Sequence, residues 1–227
     1  MFLRRRSRQA ECFDDPDRPA EAIARDYAQL ERVNRFFRHA EPFTRRMARE
    51  SRTDQWRRAA VLEVGAGTGQ LAVELKAWAA GRDWAWDFTC LDLNPTGTRL
   101  NPMPRKVVGD ATRLPFADGT FDLVIASQMT HHLDDEGVVE HFREGWRVAR
   151  RTLIVSDLHR NAFLFALVAI TTPLLGLAPR LIADGLLSVR RGFRVDEWGS
   201  AARTAGIPDP RVTVESGCRI VLYAVKD

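Results

Sequence analysis

At 227 residues the chain has the length of one large domain, since chains usually divide only beyond about 250–300 residues. Hydrophobic residues at 45% and charged residues at 28% exclude both a disordered chain and a bundle of membrane spans. The formal charge of +4 is concentrated at the front, where residues 1–60 hold 15 Arg against 10 Asp and Glu; with only Lys76, Lys106 and Lys226 as lysines, this reads as genome composition and speaks against a nucleic-acid partner. Cys12, Cys90 and Cys218 are far apart and form no CxxC pair, so neither a disulfide framework nor a cysteine zinc site is encoded, and a reducing, cytoplasmic setting is expected. The opening MFLRRRSRQAECF has basic residues without a following apolar run, which does not predict a signal peptide.

Along the chain, Ile23, Tyr27, Leu30, Val33, Phe36 and Phe37 recur at helical spacing, predicting one or two amphipathic helices over 20–50 with a break near Pro42. From Ala60 onward, short continuous apolar runs alternate with helical stretches. The runs are 60–65, 87–93, 106–110, 120–127 and 152–157, and continuous rather than alternating apolarity predicts parallel strands buried on both faces. Helices are predicted at 69–80 and 135–150, with a short turn near 96–101; Asp134 or Asp135 caps the second helix. An apolar segment at 162–182 and a helix at 195–205 follow. Segments 211–215 and 219–225, around Glu215-Ser216-Gly217-Cys218, predict a closing hairpin.

The run Val61-Leu62-Glu63-Val64-Gly65-Ala66-Gly67-Thr68-Gly69 is a buried strand followed by three glycines at a helix entrance, where backbone can approach a nucleotide-like ligand closely. Its third glycine follows the second by two residues rather than three, which departs from the dinucleotide pattern, and no Gly-Lys-Ser/Thr ending makes it a P-loop. Asp92 ends the second strand, where a carboxylate meets ribose hydroxyls. Gly109-Asp110-Ala111 ends the third, where a carboxylate can accept from an adenine amino group. These features at successive strand ends converge on one crevice.

The stretches VLEVGAGTG (61–69), LDLNP (91–95), GDATRLPFADGTFDLVIAS (109–127) and THHL (130–133) together resemble the class I S-adenosylmethionine-dependent methyltransferases, particularly the small-molecule group that includes the ubiquinone and menaquinone methyltransferases. The resemblance covers most of 60–157. It implies S-adenosylmethionine as cofactor, with Gly65, Gly67 and Gly69 against the methionine moiety and Glu63 supporting its amino group through the loop. It also implies Asp92 on the ribose, Leu93 packed on adenine, Asp110 with Ala111 reading the adenine edge, and Ser127 facing the methionine end. The implied fold is a doubly wound α/β sheet of seven strands with the last antiparallel. Residues 1–55 would form an N-terminal helical cap and 56–227 the methyltransferase domain, with an acceptor-side insertion at 159–193.

Transfer from a sulfonium mainly requires alignment of the nucleophile and removal of its proton. Base candidates are His131, His132 and His159, all just beyond strand ends, and His131 and His159 are expected to face the acceptor while His132 packs against the helix near Asp134. His39 and His141 are assigned to helix surfaces. Metal-dependent catechol methyltransferases would need carboxylates at the ends of strands four and five; with Ser127-Gln128-Met129 at one and only Asp157 at the other, no metal is expected. The Asn/Asp-Pro-Pro-Tyr/Phe run that marks nucleic-acid amino methyltransferases is missing from the sequence.

Segment 161–182 is interrupted by Thr171-Thr172-Pro173 and closed by Pro179-Arg180, so it is expected to roof an acceptor pocket or to pair two copies in a homodimer rather than to span a membrane stably. Its apolarity predicts a lipophilic or aromatic small-molecule acceptor. Segments 184–193 and 156–160 resemble methyltransferases of bacterial polyketide or phenolic-lipid pathways. O-methylation of a phenolic or polyketide-type acceptor is the expected reaction; the alternatives are C-methylation of a quinol or polyketide ring, methylation of a protein, and a non-catalytic regulatory module of the same fold, against which the histidines at strand ends speak.

Overall fold

A computed structural model of the chain describes residues 3–15, 17–50 and 56–226. A 3-10 turn at Cys12–Asp14 precedes α1 (Ala20–Phe36) and α2 (Glu41–Glu50). The main body then runs β1 (Arg58–Val64), α3 (Gln70–Ala80), β2 (Ala85–Asp92), α4 (Pro95–Leu100), β3 (Arg105–Val108) and β4 (Phe121–Ser127). After a 3-10 turn at Thr130–His132 come α5 (Asp135–Val148), β5 (Ala149–Leu158), α6 (Ala162–Leu174), α7 (Pro179–Arg191), α8 (Val195–Thr204), β6 (Arg211–Glu215) and β7 (Arg219–Val225).

The strands form one seven-stranded sheet in the order β3-β2-β1-β4-β5-β7-β6. Its pairs are parallel except where β7 runs against β5 and β6. This is the expected doubly wound architecture, and its order reverses between β1 and β4, where ligands bind in open α/β sheets.

Continuous apolarity along the central strands is explained by two cores, one on each face, because successive side chains point to opposite sides. Val61, Leu123, Ile125, Ile154 and Val221 join Phe43, Met47, Leu75 and Phe88 beneath α2 and α3. Leu62, Val64, Val124, Ala126, Leu153, Val155 and Leu222 join Val138, Phe142 and Trp198 beneath α5 and α8. Helix starts follow local side-chain chemistry: Asn94, Asp134 and Asn161 accept from backbone N–H groups of the first turns of α4, α5 and α6.

The expected break near Pro42 falls at residues 37–40, and Pro42 itself lies in the first turn of α2, where its missing N–H costs nothing. His39 and His141 are not on helix surfaces but buried. His39 lies between α1 and α2 with Nε2 3.6 Å from Glu74 Oε2, and His141 Nδ1 lies 3.4 Å from the Ala111 carbonyl oxygen. The expected boundary between cap and domain at 55/56 touches residues 51–55, which lie outside the described residues. On either side of it, Phe43 and Met47 of α2 and Trp56 share the core beneath the sheet.

Candidate functional site

The carboxyl ends of β1, β2 and β4 open on a cavity of about 960 Å³. Its floor is the glycine loop after β1. Gly65, Gly67 and Gly69 have φ of 70°, 51° and 74°, a region that other residues enter only with strain. The loop is also closely covered: a Cβ on Gly65 would lie 2.6 Å from Met129 Cβ, and one on Gly67 2.9 Å from the Tyr27 ring. Gly65 and Ala66 donate to the Leu91 carbonyl oxygen at 2.8 and 3.0 Å, which ties the loop to the end of β2.

Asp92 sits at that strand end with both carboxylate oxygens turned into the loop region. Oδ2 accepts from Gly67 N at 2.6 Å and Oδ1 from Asn94 N at 2.7 Å. Burial raises its pKa, and these two N–H groups oppose the rise. Behind the loop, Glu63 Oε2 accepts from Ala72 N at 3.0 Å, pinning the first turn of α3. Burial pushes Glu63 up to about 8, with Asp92 adding to the effect.

Leu93 projects into the cavity at 71% exposure, and Asp110 Oδ1 accepts from Thr112 N and Oγ1 at 2.8 Å each, which fixes the turn that carries Ala111. Ser127 lines the cavity at the end of β4, and its Oγ is buried without a hydrogen-bond partner. A buried hydroxyl left unpaired beside a cavity is suited to a polar ligand group. Glu63, Gly65, Gly67, Asp92, Leu93, Asp110, Ala111, Ser127 and His131 thus surround one space. Gly69 does not; it caps α3, and a Cβ there would collide with the Asn101 side chain at 2.3 Å.

The histidines depart furthest from expectation. His159 is outside the cavity. It pairs by a β-bridge with Phe193 and its Nδ1 meets Asn161 Nδ2 at 2.7 Å, beside a separate shallow groove with Arg160 and Arg194. His131 does line the cavity, but it is not a free neutral imidazole. Its Nδ1 lies 2.7 Å from Asp157 Oδ1, and its Nε2 faces Glu11 Oε1 across 3.7 Å. Burial opposes its charged form most strongly, yet Asp157 and Glu11 outweigh burial and its pKa lies above the ordinary histidine value. Asp157 correspondingly lies below the carboxylate range: burial raises it, but attraction and hydrogen bonding from His131 prevail. His132, expected to pack against α5, lines the cavity too, with Nδ1 2.6 Å from Asp14 Oδ1.

The walls come from elements outside the sheet. Ile23, Tyr27, Leu30 and Val33 of α1 face Leu164 and Val168 of α6 and Leu181 of α7 across the cavity. Tyr27 lies over both Gly67 and Gly97. The N-terminal arm closes one side: Arg191 donates to the carbonyl oxygens of Gln9, His131 and His132 at 3.0 Å each and pairs with Asp14, while Ser188 Oγ donates to Glu11 Oε2 at 2.8 Å. Sequence reasoning missed Glu11, Asp14 and Arg191. Among the described residues no helix is long and apolar enough to cross a membrane.

A seven-stranded sheet of this order, with a glycine loop after β1 and an acid at the end of β2, has the fold of the class I S-adenosylmethionine-dependent methyltransferases, and the comparisons agree. Over 97% of this chain and 96% of the other, it superposes with a TM-score of 0.64 at 14% identity on the crystal structure of a putative S-adenosyl-L-methionine-dependent methyltransferase from Methanococcus maripaludis. Residues 62–154 match the family described as Methyltransferase domain. The chain is 37% identical over 91 residues to a demethylmenaquinone methyltransferase of Roseiflexus sp. (strain RS-1), covering 39% of this chain and 37% of that one. It is 40% identical over 123 residues to a demethylmenaquinone methyltransferase of Mycolicibacterium vanbaalenii, covering 52% and 45%. The chain thus spans less than half the length of either relative.

Proposed function

We propose that the chain transfers a methyl group from S-adenosylmethionine to a small lipophilic acceptor, with residues 1–55 as a cap over the site and 159–193 as its roof. The observation that carries this reading is a single cavity that joins the glycine loop and Asp92 to the apolar side chains of α1, α6 and α7. The residues fit the cofactor: a loop with positive φ admits close approach, and a buried unpaired hydroxyl at Ser127 stands beside it. When bound, the cofactor supplies a methyl group already activated on sulfur.

In this reading Gly65 and Gly67 admit the methionine end, Gly69 sets the turn into α3 behind them, and Glu63 holds that helix in place. Asp92 accepts from the ribose hydroxyls with lone pairs not used by Gly67 N and Asn94 N. Leu93, Asp110 and Ala111 flank the adenine, and Ser127 donates toward the methionine end. Leu164, Val168 and Leu181 exclude water from the acceptor, so the protein's contribution is alignment of an in-line displacement.

Oxygen of a phenolic or polyketide-type acceptor is the first reading of the methylated atom. A ring carbon of a quinol is the second, favoured by the names of the matched relatives and by a His131 already engaged with Asp157. The test has two arms. S-adenosylhomocysteine should bind in calorimetric titration, and turnover of labelled S-adenosylmethionine should appear with apolar phenols or demethylmenaquinone, the product's NMR spectrum locating the methyl. Preference for a nicotinamide dinucleotide, or labelling of proteins alone, would overturn the proposal.

A further inference from the structure

We infer that Glu11, His131 and His132 form a binding site for one divalent transition-metal ion on the cavity wall. Their ligand-type atoms lie within 4.8 Å of one another. The separations of 3.7 Å from His131 Nε2 to Glu11 Oε1 and 3.9 Å from His132 Nε2 to Glu11 Oε2 are too long for hydrogen bonds. They are close to the spacing of about 3.4 Å between ligand atoms held roughly 2.1 Å from a tetrahedral ion. Glu11 Oε1 is buried without a hydrogen-bond partner, 3.7 Å from both His131 Nε2 and Arg191 Nε, so its lone pairs are open to an ion.

The outer contacts point the same way. Each histidine has its Nδ1 fixed by a carboxylate, His131 by Asp157 at 2.7 Å and His132 by Asp14 at 2.6 Å. A metal-ligating imidazole is oriented in this manner: the carboxylate holds the Nδ1–H and turns Nε2 toward the ion, which on binding displaces any proton that Nε2 carries. The two rings lie side by side with centroids 4.4 Å apart, because both belong to one 3-10 turn. Around the cluster, the carboxylates of Glu11 and Asp14 pair with the Arg191 guanidinium, while Asp157 pairs with His131. Two imidazoles with one carboxylate select zinc or a neighbouring first-row ion over magnesium or calcium, which prefer oxygen. Because all three residues line the cavity, its remaining coordination positions face that space.

The test is metal titration of chelator-treated protein with zinc and with cobalt(II), without methyl donor or acceptor, so its failure is separable from failure of the methyltransferase reading. One equivalent of cobalt(II) should bind and give a visible ligand-field spectrum free of thiolate charge-transfer absorption. Glu11→Gln, which keeps an acceptor for Ser188, and His132→Gln should each weaken zinc binding by more than about 100-fold, since outer-contact changes alone cost about 10–100-fold. If Glu11→Gln does not fold, the half-buried His132→Gln decides, with the melting temperature of its metal-free form as the folding check. No stoichiometric binding, a thiolate spectrum, or unchanged affinity in the variants overturns the site.

Discussion

At the scale of single residues, Asp92 is both a wall of the cavity and a brace of the loop. Its carboxylate accepts from Gly67 N and Asn94 N, so removing it affects the loop as well as any ligand hydroxyl. Asp92→Ala should lower S-adenosylhomocysteine affinity by about 1.5–3 kcal/mol, the range for charge-assisted hydrogen bonds, as read by calorimetry. Unchanged affinity would remove Asp92 from the site. The strand-end acids were legible in the sequence because strand, glycine turn and acid recur at short chain distances. Glu11 was not. It reaches His131 from the far end of the chain and is held there by Ser188 and the arm around Arg191, a contact with no local pattern. His159 was misread for a related reason: β5 extends to Leu158, which itself lines the cavity, and the next residue leaves the strand for the bridge to Phe193.

At the scale of elements, helix and strand types were legible from periodicity, whereas the role of the N-terminal helices was only half legible. The apolar spacing of α1 identified a covering helix, and its Ile23, Tyr27, Leu30 and Val33 line the cavity. For α2 the expected amphipathic pattern did not say what its apolar face covers: Phe43 and Met47 are fully buried against the underside of the sheet. Phe43→Ala should therefore destabilise the protein by about 3–5 kcal/mol in denaturant unfolding, as for a core aromatic. A loss well under 1 kcal/mol would show that α2 is peripheral. The roof is testable as well. Leu181 of α7 is buried at the cavity wall. Leu181→Trp should lower kcat/KM for the acceptor and leave S-adenosylhomocysteine affinity unchanged; a parallel loss of both would mean that α7 does not separate the two subsites. The apolar run of α6 could not be interpreted from sequence alone because its faces do different things: Leu164 and Val168 pack with Val189, while Phe163, Ile170 and Leu174 are exposed.

At the scale of the whole molecule, three buried titratable groups set opposing slopes in stability against pH. His39 and His141 are pushed down to about 4 by burial, so both remain neutral in the folded chain where an unfolded histidine near 6.5 is already charged. Their stabilisation is complete above about pH 6.5 and is lost as pH falls toward 4. Glu63 behaves in the opposite sense. With its folded value at about 8 against 4.5 unfolded, it holds a proton that the unfolded chain has released, so it makes stability fall as pH rises through that window. Each proton of difference corresponds to about 1.36 kcal/mol per pH unit. Between about pH 4.5 and 6.5 the two histidines outweigh the single glutamate and stability climbs; from about 6.5 to 8 Glu63 acts alone among the three and stability declines. Urea midpoints of the ligand-free protein should consequently peak near pH 6.5. Glu63→Gln, which keeps an acceptor for Ala72 N, should reduce the decline above the peak and steepen the rise below it, the remaining decline belonging to His131, whose raised pKa acts in the same sense, while His141→Phe should flatten the acid limb. If Glu63→Gln retained the same decline between pH 6.5 and 8, the carboxyl behind the glycine loop would be ionised in the folded chain throughout, and the burial that distinguishes it from Asp92 would carry no energetic consequence.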